Sequence, residues 1–227
     1  MSVIESLALF PLSDVVLLPE VSVPLYIFEP RYRQMARDAL AGRHQIGMIT
    51  VRPGSVDAIA GDPPIFDIGC LGQIVHSQER PDGTFQIMLL GVSRFRILKE
   101  DDRTNQKDDQ LYRSARVELL QDREPATPDE IEEIKLHRNE LLSLLEQFVL
   151  RLGSVQDPEK TISAFAKLES PRLVNALTGS IPFSPIERQQ LLEADSIIGR
   201  FETMHELLRF QLAALGAGQS ARPSLPN

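Results

Sequence analysis

The stretch IGCLGQIVHSQERPDGTFQIMLLGVSR, residues 68–94, decides the fold class of the first half of the chain. Two apolar runs, 68–78 and 84–94, flank Arg80-Pro81-Asp82-Gly83, a turn tetrad with Pro where φ is preset and Gly where φ > 0 is wanted. An antiparallel hairpin is the expectation. Ile87, Leu89 and Val92 alternate imperfectly across Gly91, which marks a bulge or a bend. Downstream, Phe95–Lys99 continues as strand, residues 100–110 are almost wholly polar, and Tyr112–Leu120 supplies a last strand with Ala115, Val117 and Leu119 on one face. Upstream, Leu7–Phe10, Val15–Leu18, Val21–Tyr26 and Ile46–Val51 are short apolar runs, punctuated by Pro11, Ser13-Asp14 and Pro19. One helix interrupts them over Glu29–Ala41, with Pro30 at its first position, Tyr32, Met35, Ala36, Ala39 and Leu40 as its stripe, and Gly42 as its stop. Residues 52–67 read as a long loop. Eight short strands, one early helix and no βαβ alternation predict a closed or nearly closed β-barrel-like module.

After residue 123 the period changes. Thr127-Pro128-Asp129-Glu130 and Ser184-Pro185-Ile186-Glu187 are capping boxes with Pro at the first helical position. Asp157-Pro158 and Ser170-Pro171 start two further helices, and a last long helix carries Ile197, Ile198, Phe201, Met204, Leu207, Leu208, Leu212 and Leu215 before Gly216. Five helices with short links predict a small bundle. The expected organisation is therefore α+β: a barrel subdomain over 1–123, a helical bundle over 124–216, and a disordered Gly/Pro/Ser tail over 217–227.

Composition narrows the function classes. The net charge is −8, and residues 1–126 and 127–227 carry −4 each. Nucleic-acid binders draw most of their affinity from phosphate neutralisation, so an acidic balance in both halves opposes that partner. No run approaches the about 20 consecutive apolar residues that a membrane-spanning helix needs. The first ten residues lack the basic start of a secretory signal, and the single cysteine, Cys70, builds no disulfide framework. Both features make the cytoplasm the expected location.

The catalytic patterns in the sequence are incomplete. None of the five lysines follows a glycine, so the phosphate-cradling Gly-Lys-Ser/Thr loop is absent. Gly91-Val92-Ser93 runs on to Arg94 and forms no nucleophile elbow. His205-Glu206 begins a zincin pattern, but Arg209 stands where the second imidazole should be. His44, His76, His137 and His205 are dispersed, and Cys70 lies in an apolar strand, where a free cysteine is usually a small hydrophobe. The carboxylate pairs Asp101-Asp102 and Asp108-Asp109 sit in a solvated polar run, where no desolvation raises a pKa. No catalytic residue, metal ligand or cofactor is expected.

What remains is a set of separated blocks: LFPLSDVVLLP over 9–19, VPLYIFEPRYR over 23–33, Gly47-Met48-Ile49, IGCLGQIV over 68–75, Pro81-Asp82-Gly83, and LGVSRFRI over 90–97. Together they resemble the N-terminal, substrate-binding domain of the Lon ATP-dependent proteases, and the Phe28-Glu29-Pro30-Arg31-Tyr32-Arg33 form resembles stand-alone bacterial versions of that domain. The likeness covers roughly residues 5–215 and is strongest over 7–98. It implies a PUA-like β-barrel (a pseudobarrel) followed by a helical bundle, and a role in recognising unfolded or tagged protein substrates. In full-length Lon the ATPase and Ser-Lys peptidase modules lie downstream, so neither is expected within these 227 residues.

A non-catalytic protein- or peptide-binding module follows, an adaptor or regulator in protein quality control whose partners are unfolded or tagged proteins, or a protease or chaperone. Its contacts would form in an apolar groove between barrel and bundle, or along an exposed strand edge. Tyr26, Phe28, Tyr32 and Phe66 are the candidate binding residues, being close to the strand-to-helix turn and the long loop. Two alternatives stand beside it. RNA binding rests on what other PUA-like barrels do and on the basic set Arg31, Arg33, Arg37, Arg94 and Arg96. The other is a small-molecule site with no sequence signature.

Overall fold

The computed structural model describes residues 2–54, 62–101, 109–123 and 125–220. Asp102, Asp108 and the expected tail beyond 220 lie outside the described residues. The chain forms β1 (Ser2–Leu12), β2 (Ser22–Ile27), α1 (Pro30–Ala41), β3 (Gln45–Thr50), β4 (Ile68–Glu79), β5 (Phe85–Glu100) and β6 (Ser114–Leu120). Five helices follow: α2 (Pro128–Leu152), α3 (Pro158–Ala166), α4 (Ser170–Ser180), α5 (Pro185–Glu193) and α6 (Ile197–Ser220). Two compact units result, one holding residues up to Gln121 with Ile181–Glu193, the other holding Asp122–Ser180 with the residues from Ala194 onward.

In the first unit six strands pair in the order β2-β5-β4-β3-β1-β6, and β6 also pairs with β5. Five strands thus form a closed circuit of pairings. The long strand β5 makes this arrangement work. Its Phe85–Leu90 half pairs with β2, its Arg94–Glu100 half pairs with β6, and β4 runs along the opposite edge. Between the halves the register shifts, so that Leu71 faces Ser93 and Gly72 faces Gly91, leaving Val92 over. The bulge expected at Gly91 is there. The hairpin turn also forms as its residues dictate: Gly83 has φ 76°, and Asp82 accepts hydrogen bonds from the Thr84 amide and hydroxyl at 3.0 and 2.7 Å.

The count of strands is corrected from eight to six among the described residues. Thr84–Arg94 and Phe95–Lys99 are one strand, since a bulge bends β5 without ending it. Val15–Leu18 is no strand at all: Val16, Leu17 and Leu18 are buried, but the segment runs without ladder pairing between the Asp14 and Pro19 breaks. Its apolar side chains serve the core while Pro19 and the left-handed Glu20 (φ 63°) redirect the chain into β2. One pair is parallel, β1 with β3, joined through β2 and α1.

Alternation along β1 and β3 divides the core into two clusters. Phe10, Ile46 and Met48 join Tyr32, Met35, Cys70, Phe85 and Leu89 in one; Leu7, Leu9 and Ile49 join Leu71, Phe95 and Val117 in the other. Strands buried on both faces read as continuous apolar runs, which is how these segments appear in sequence. Helix α5, expected in the bundle from its place in the chain, packs on β4. Gln189, 1% exposed, holds it there: its carbonyl accepts from Thr50 Oγ1 at 2.7 Å and its amide donates to the Ile68 carbonyl at 2.9 Å. Arg94 adds a hydrogen bond from its guanidinium to the Leu192 carbonyl at 3.1 Å. A polar side chain is tolerated at this depth because its groups are paired.

The second unit packs α2 against α3 and α6, and α4 against α3 and α6. Thr127 Oγ1 accepts from the Glu130 amide at 3.2 Å, and the Glu130 carboxylate reaches back to the Ala126 amide at 2.7 Å. Leu141, Leu145, Phe148 and Val149 of α2 and Phe201, Met204, Leu208 and Leu212 of α6 are buried at helical spacing. Helix α6 continues through Ser220, past the stop expected at Gly216. An isolated glycine costs a helix only about 1 kcal/mol relative to alanine, too little to end it here.

Candidate functional site

Strand β2 buries alternate residues: Ile27 faces the core with half-buried Val23 and Leu25, while Ser22, Pro24 and Tyr26 face outward. Phe28, just past the strand, lies two residues from Tyr26 and shares its side. Tyr26 is 49% exposed and Phe28 60% exposed, and their rings stack at 6.0 Å with a 27° interplanar angle. The Arg80 guanidinium lies 5.6 Å from the Tyr26 ring centre, within cation–π range.

Register extends this patch across the sheet. Pro24 faces Met88, which faces His76; Tyr26 faces Gln86, which faces Gln78. These six side chains, with Leu25 and Ile87 beneath, line a shallow groove of about 330 Å³. Pro24, His76, Gln78, Gln86 and Met88 were not singled out from sequence, because only strand register brings them together. The local signal that exists is polar–apolar alternation in β5, which marks one face of Gln86 and Met88 as outward.

Tyr32 and Phe66 do not join this patch by ring contact. Tyr32 is 5% exposed and packs on Phe10 at 4.5 Å, with Arg31 over its ring. Phe66 is half-buried under the Arg52 guanidinium at 4.8 Å. The basic set is likewise dispersed in its roles: Arg94 is buried beneath α5, Arg31 pairs with Glu29 at 3.0 Å, and Arg37 pairs with Glu79 at 3.1 Å.

A second concavity, about 410 Å³, opens beside the irregular Ile4–Leu7 stretch of β1 and is lined by Asp38, Arg43, Gln45 and Tyr112 among others. Tyr112 donates to Asp38 Oδ2 at 2.9 Å, and burial together with that carboxylate pushes the phenol further from ionisation. Such a phenol donates hydrogen bonds and is a poor base. Cys70 is fully buried, and desolvation pushes its thiol up to about 12. A thiolate is the reactive form, so Cys70 is expected to resist a disulfide reagent at pH 8 in native protein and to react fully in denaturant. A colorimetric thiol assay reads both states; prompt native reaction would contradict the burial. In the second unit, His137, Glu140 and His205 could hold a metal ion.

Among the described residues no helix is long and apolar enough to cross a membrane. Among curated proteins, Lon protease 2 of Desulfotalea psychrophila is 25% identical over 201 residues, covering 88% of this chain and 24% of that protein. Lon protease of Dictyoglomus thermophilum is 25% identical over 224 residues, covering 98% and 26%. The chain therefore spans about a quarter of the length of these relatives. Among solved structures, the Lon N-terminal domain protein from Xanthomonas campestris superposes with a TM-score of 0.57 at 22% identity, covering 91% of this chain and 99% of that one. The N-terminal domain of Mycobacterium avium complex Lon protease does so with a TM-score of 0.66 at 17% identity, covering 90% and 98%. Both are likenesses of fold, a sheet with helices. Residues 6–209, most of the chain, match the ATP-dependent protease La (LON) substrate-binding domain, and the chain belongs to that family.

Proposed function

We propose that this chain is a non-catalytic, cytoplasmic recognition module for unfolded or tagged proteins, an adaptor or regulator in protein quality control built on a PUA-like barrel. The observation that carries this is the exposed Tyr26–Phe28 stack beside the groove on the outer face of β2, β5 and β4. Two aromatic rings held against each other at 49% and 60% exposure are apolar surface that folding has left in water. A client's apolar side chain would cover them and seat in the groove, while Gln78, Gln86 and His76 would meet its backbone. Docking on the face is favoured over strand addition. Strand β2 ends the order of pairings, but Pro24 in its middle has no N–H to give an added strand.

The test is fluorescence anisotropy with a labelled, reduced and carboxymethylated protein that stays unfolded. Tyr26→Ala with Phe28→Ala is expected to weaken binding at least about tenfold, or about 1.4 kcal/mol. Stability should stay within about 0.5 kcal/mol of the parent, because both rings are exposed. Unchanged affinity in a folded double variant rejects this surface.

A further inference from the structure

Residues 68 apart in sequence meet where α2 and α6 pack in the second unit. His137 and Glu140 are three apart on α2 and share a face; His205 comes from α6. The two imidazole rings lie 5.4 Å apart at 28°, and one donor atom from each of the three residues falls within 4.8 Å of the others. His205 is 4% exposed.

Hydrogen bonding decides which atoms are available. His205 Nε2 lies 3.0 Å from the His137 carbonyl oxygen, which can only accept, so Nε2 carries the proton. In the neutral ring Nδ1 then presents a lone pair, and it faces Glu140 Oε2 at 3.7 Å. With Nε2–H given to the carbonyl, two acceptors are left pointing at one another. His137 also carries an unused group, since its Nδ1 is buried and has no hydrogen-bond partner. The other Glu140 oxygen is held by Arg209, which orients the carboxylate.

We propose that His137, Glu140 and His205 form a binding site for a late first-row divalent cation of the zinc class, with one coordination position left to water. Two imidazoles and a carboxylate are the donor set such an ion takes. Zinc–ligand bonds of about 2.0–2.2 Å in a tetrahedron put donor atoms about 3.4 Å apart, so the 3.7 Å pair needs only a small adjustment. The Nε2–H to carbonyl bond is the outer contact that metal-bound histidines use to fix their tautomer. Glu140, with 44% of its side chain exposed, gives the ion a route from water. His205-Glu206 alone had suggested only a broken zincin pattern; the second imidazole comes from α2, not from position 209.

The experiment titrates Zn²⁺ into chelator-treated full chain by calorimetry, with Co²⁺ absorption as a report of coordination. One ion per chain is expected, with tetrahedral-type cobalt bands. His137→Gln, Glu140→Gln and His205→Gln should each weaken zinc at least about tenfold. His44→Gln with His76→Gln, on the other unit, should leave it unchanged. Glu140→Gln alters a partly exposed side chain, so it decides the matter even where His205→Gln disturbs packing. No stoichiometric zinc binding, zinc binding that survives Glu140→Gln and His137→Gln, or loss in the His44/His76 variant would each overturn the site. The outcome is independent of client binding at Tyr26 and Phe28.

Discussion

Gly91→Ala is expected to destabilise the first unit by about 3 kcal/mol and to lower its melting temperature by about 10 °C. The sign is what makes the experiment useful. Gly91 does not have positive φ, so chain entropy alone would make alanine stabilising by about 0.4–1 kcal/mol. Sterics oppose it. A Cβ at Gly91 would overlap the Leu18 carbonyl oxygen and lie 2.7 Å from its carbon and 3.2 Å from Pro19 Cα. These are backbone atoms of the segment that leads into β2, and the same segment is tied to Gly91 by hydrogen bonds from Glu20 N at 2.8 Å and to Val21 O at 2.9 Å. Neither side can yield without loosening the β2–β5 pairing or the bulge at Val92. Gly199→Ala serves as the control. Its Cβ would meet only Ser196 Oγ at 3.4 Å, and helix propensity predicts a gain of up to about 1 kcal/mol. Thermal unfolding of both variants decides it: if Gly91→Ala is as stable as the parent, the Leu18 approach is wrong.

The same bulge shows what can be read from sequence and what cannot. Pro81-Asp82-Gly83, Thr127-Pro128-Asp129-Glu130 and Ser184-Pro185-Ile186-Glu187 each fix a turn or cap with residues a few positions apart, and each forms in the structure. Their physics is local. Val15–Leu18 misled because an apolar run reports burial, not hydrogen-bond pairing, and here Pro19 diverts the backbone before a ladder can form. The parallel β1–β3 pair and the double use of β5 by β2 and β6 depend on register between segments tens of residues apart, which no local period encodes. The candidate sites follow the same division. Tyr26 and Phe28, two apart at the end of a strand, could be placed on one side by alternation alone. Tyr32 had the same aromatic character but the core position of a helical stripe, and it is buried against Phe10. The pairing of His137 with His205 gave no sequence signal, because helix packing and not spacing brings their rings together.

Asp122→Asn is expected to cost about 3 kcal/mol, more than the removal of its partner. Arg200, on α6, is 1% exposed, and its guanidinium meets Asp122 Oδ2 at 2.5 Å. Guanidinium cannot shed its charge by deprotonation at any pH the fold survives, so the aspartate is what makes its burial tolerable. Asparagine keeps the shape and removes the countercharge, which leaves a cation inside the protein; breaking a buried pair in this way costs about 3–5 kcal/mol, reduced here because 32% of the Asp122 side chain meets solvent. Arg200→Met works in the other direction. It fills much of the same volume with apolar atoms, and Asp122, already part-hydrated, can turn to water, so a loss of about 1 kcal/mol or less is expected. The double variant should then be more stable than Asp122→Asn alone, because the charge that lacked a partner is gone. Urea unfolding of the parent, both single variants and the double variant gives the coupling energy directly. High salt should change it little, since a pair with one member fully buried is poorly screened. The opposite order, with Arg200→Met the more damaging, would mean that Arg200 stabilises α6 by packing and that Asp122 only decorates it.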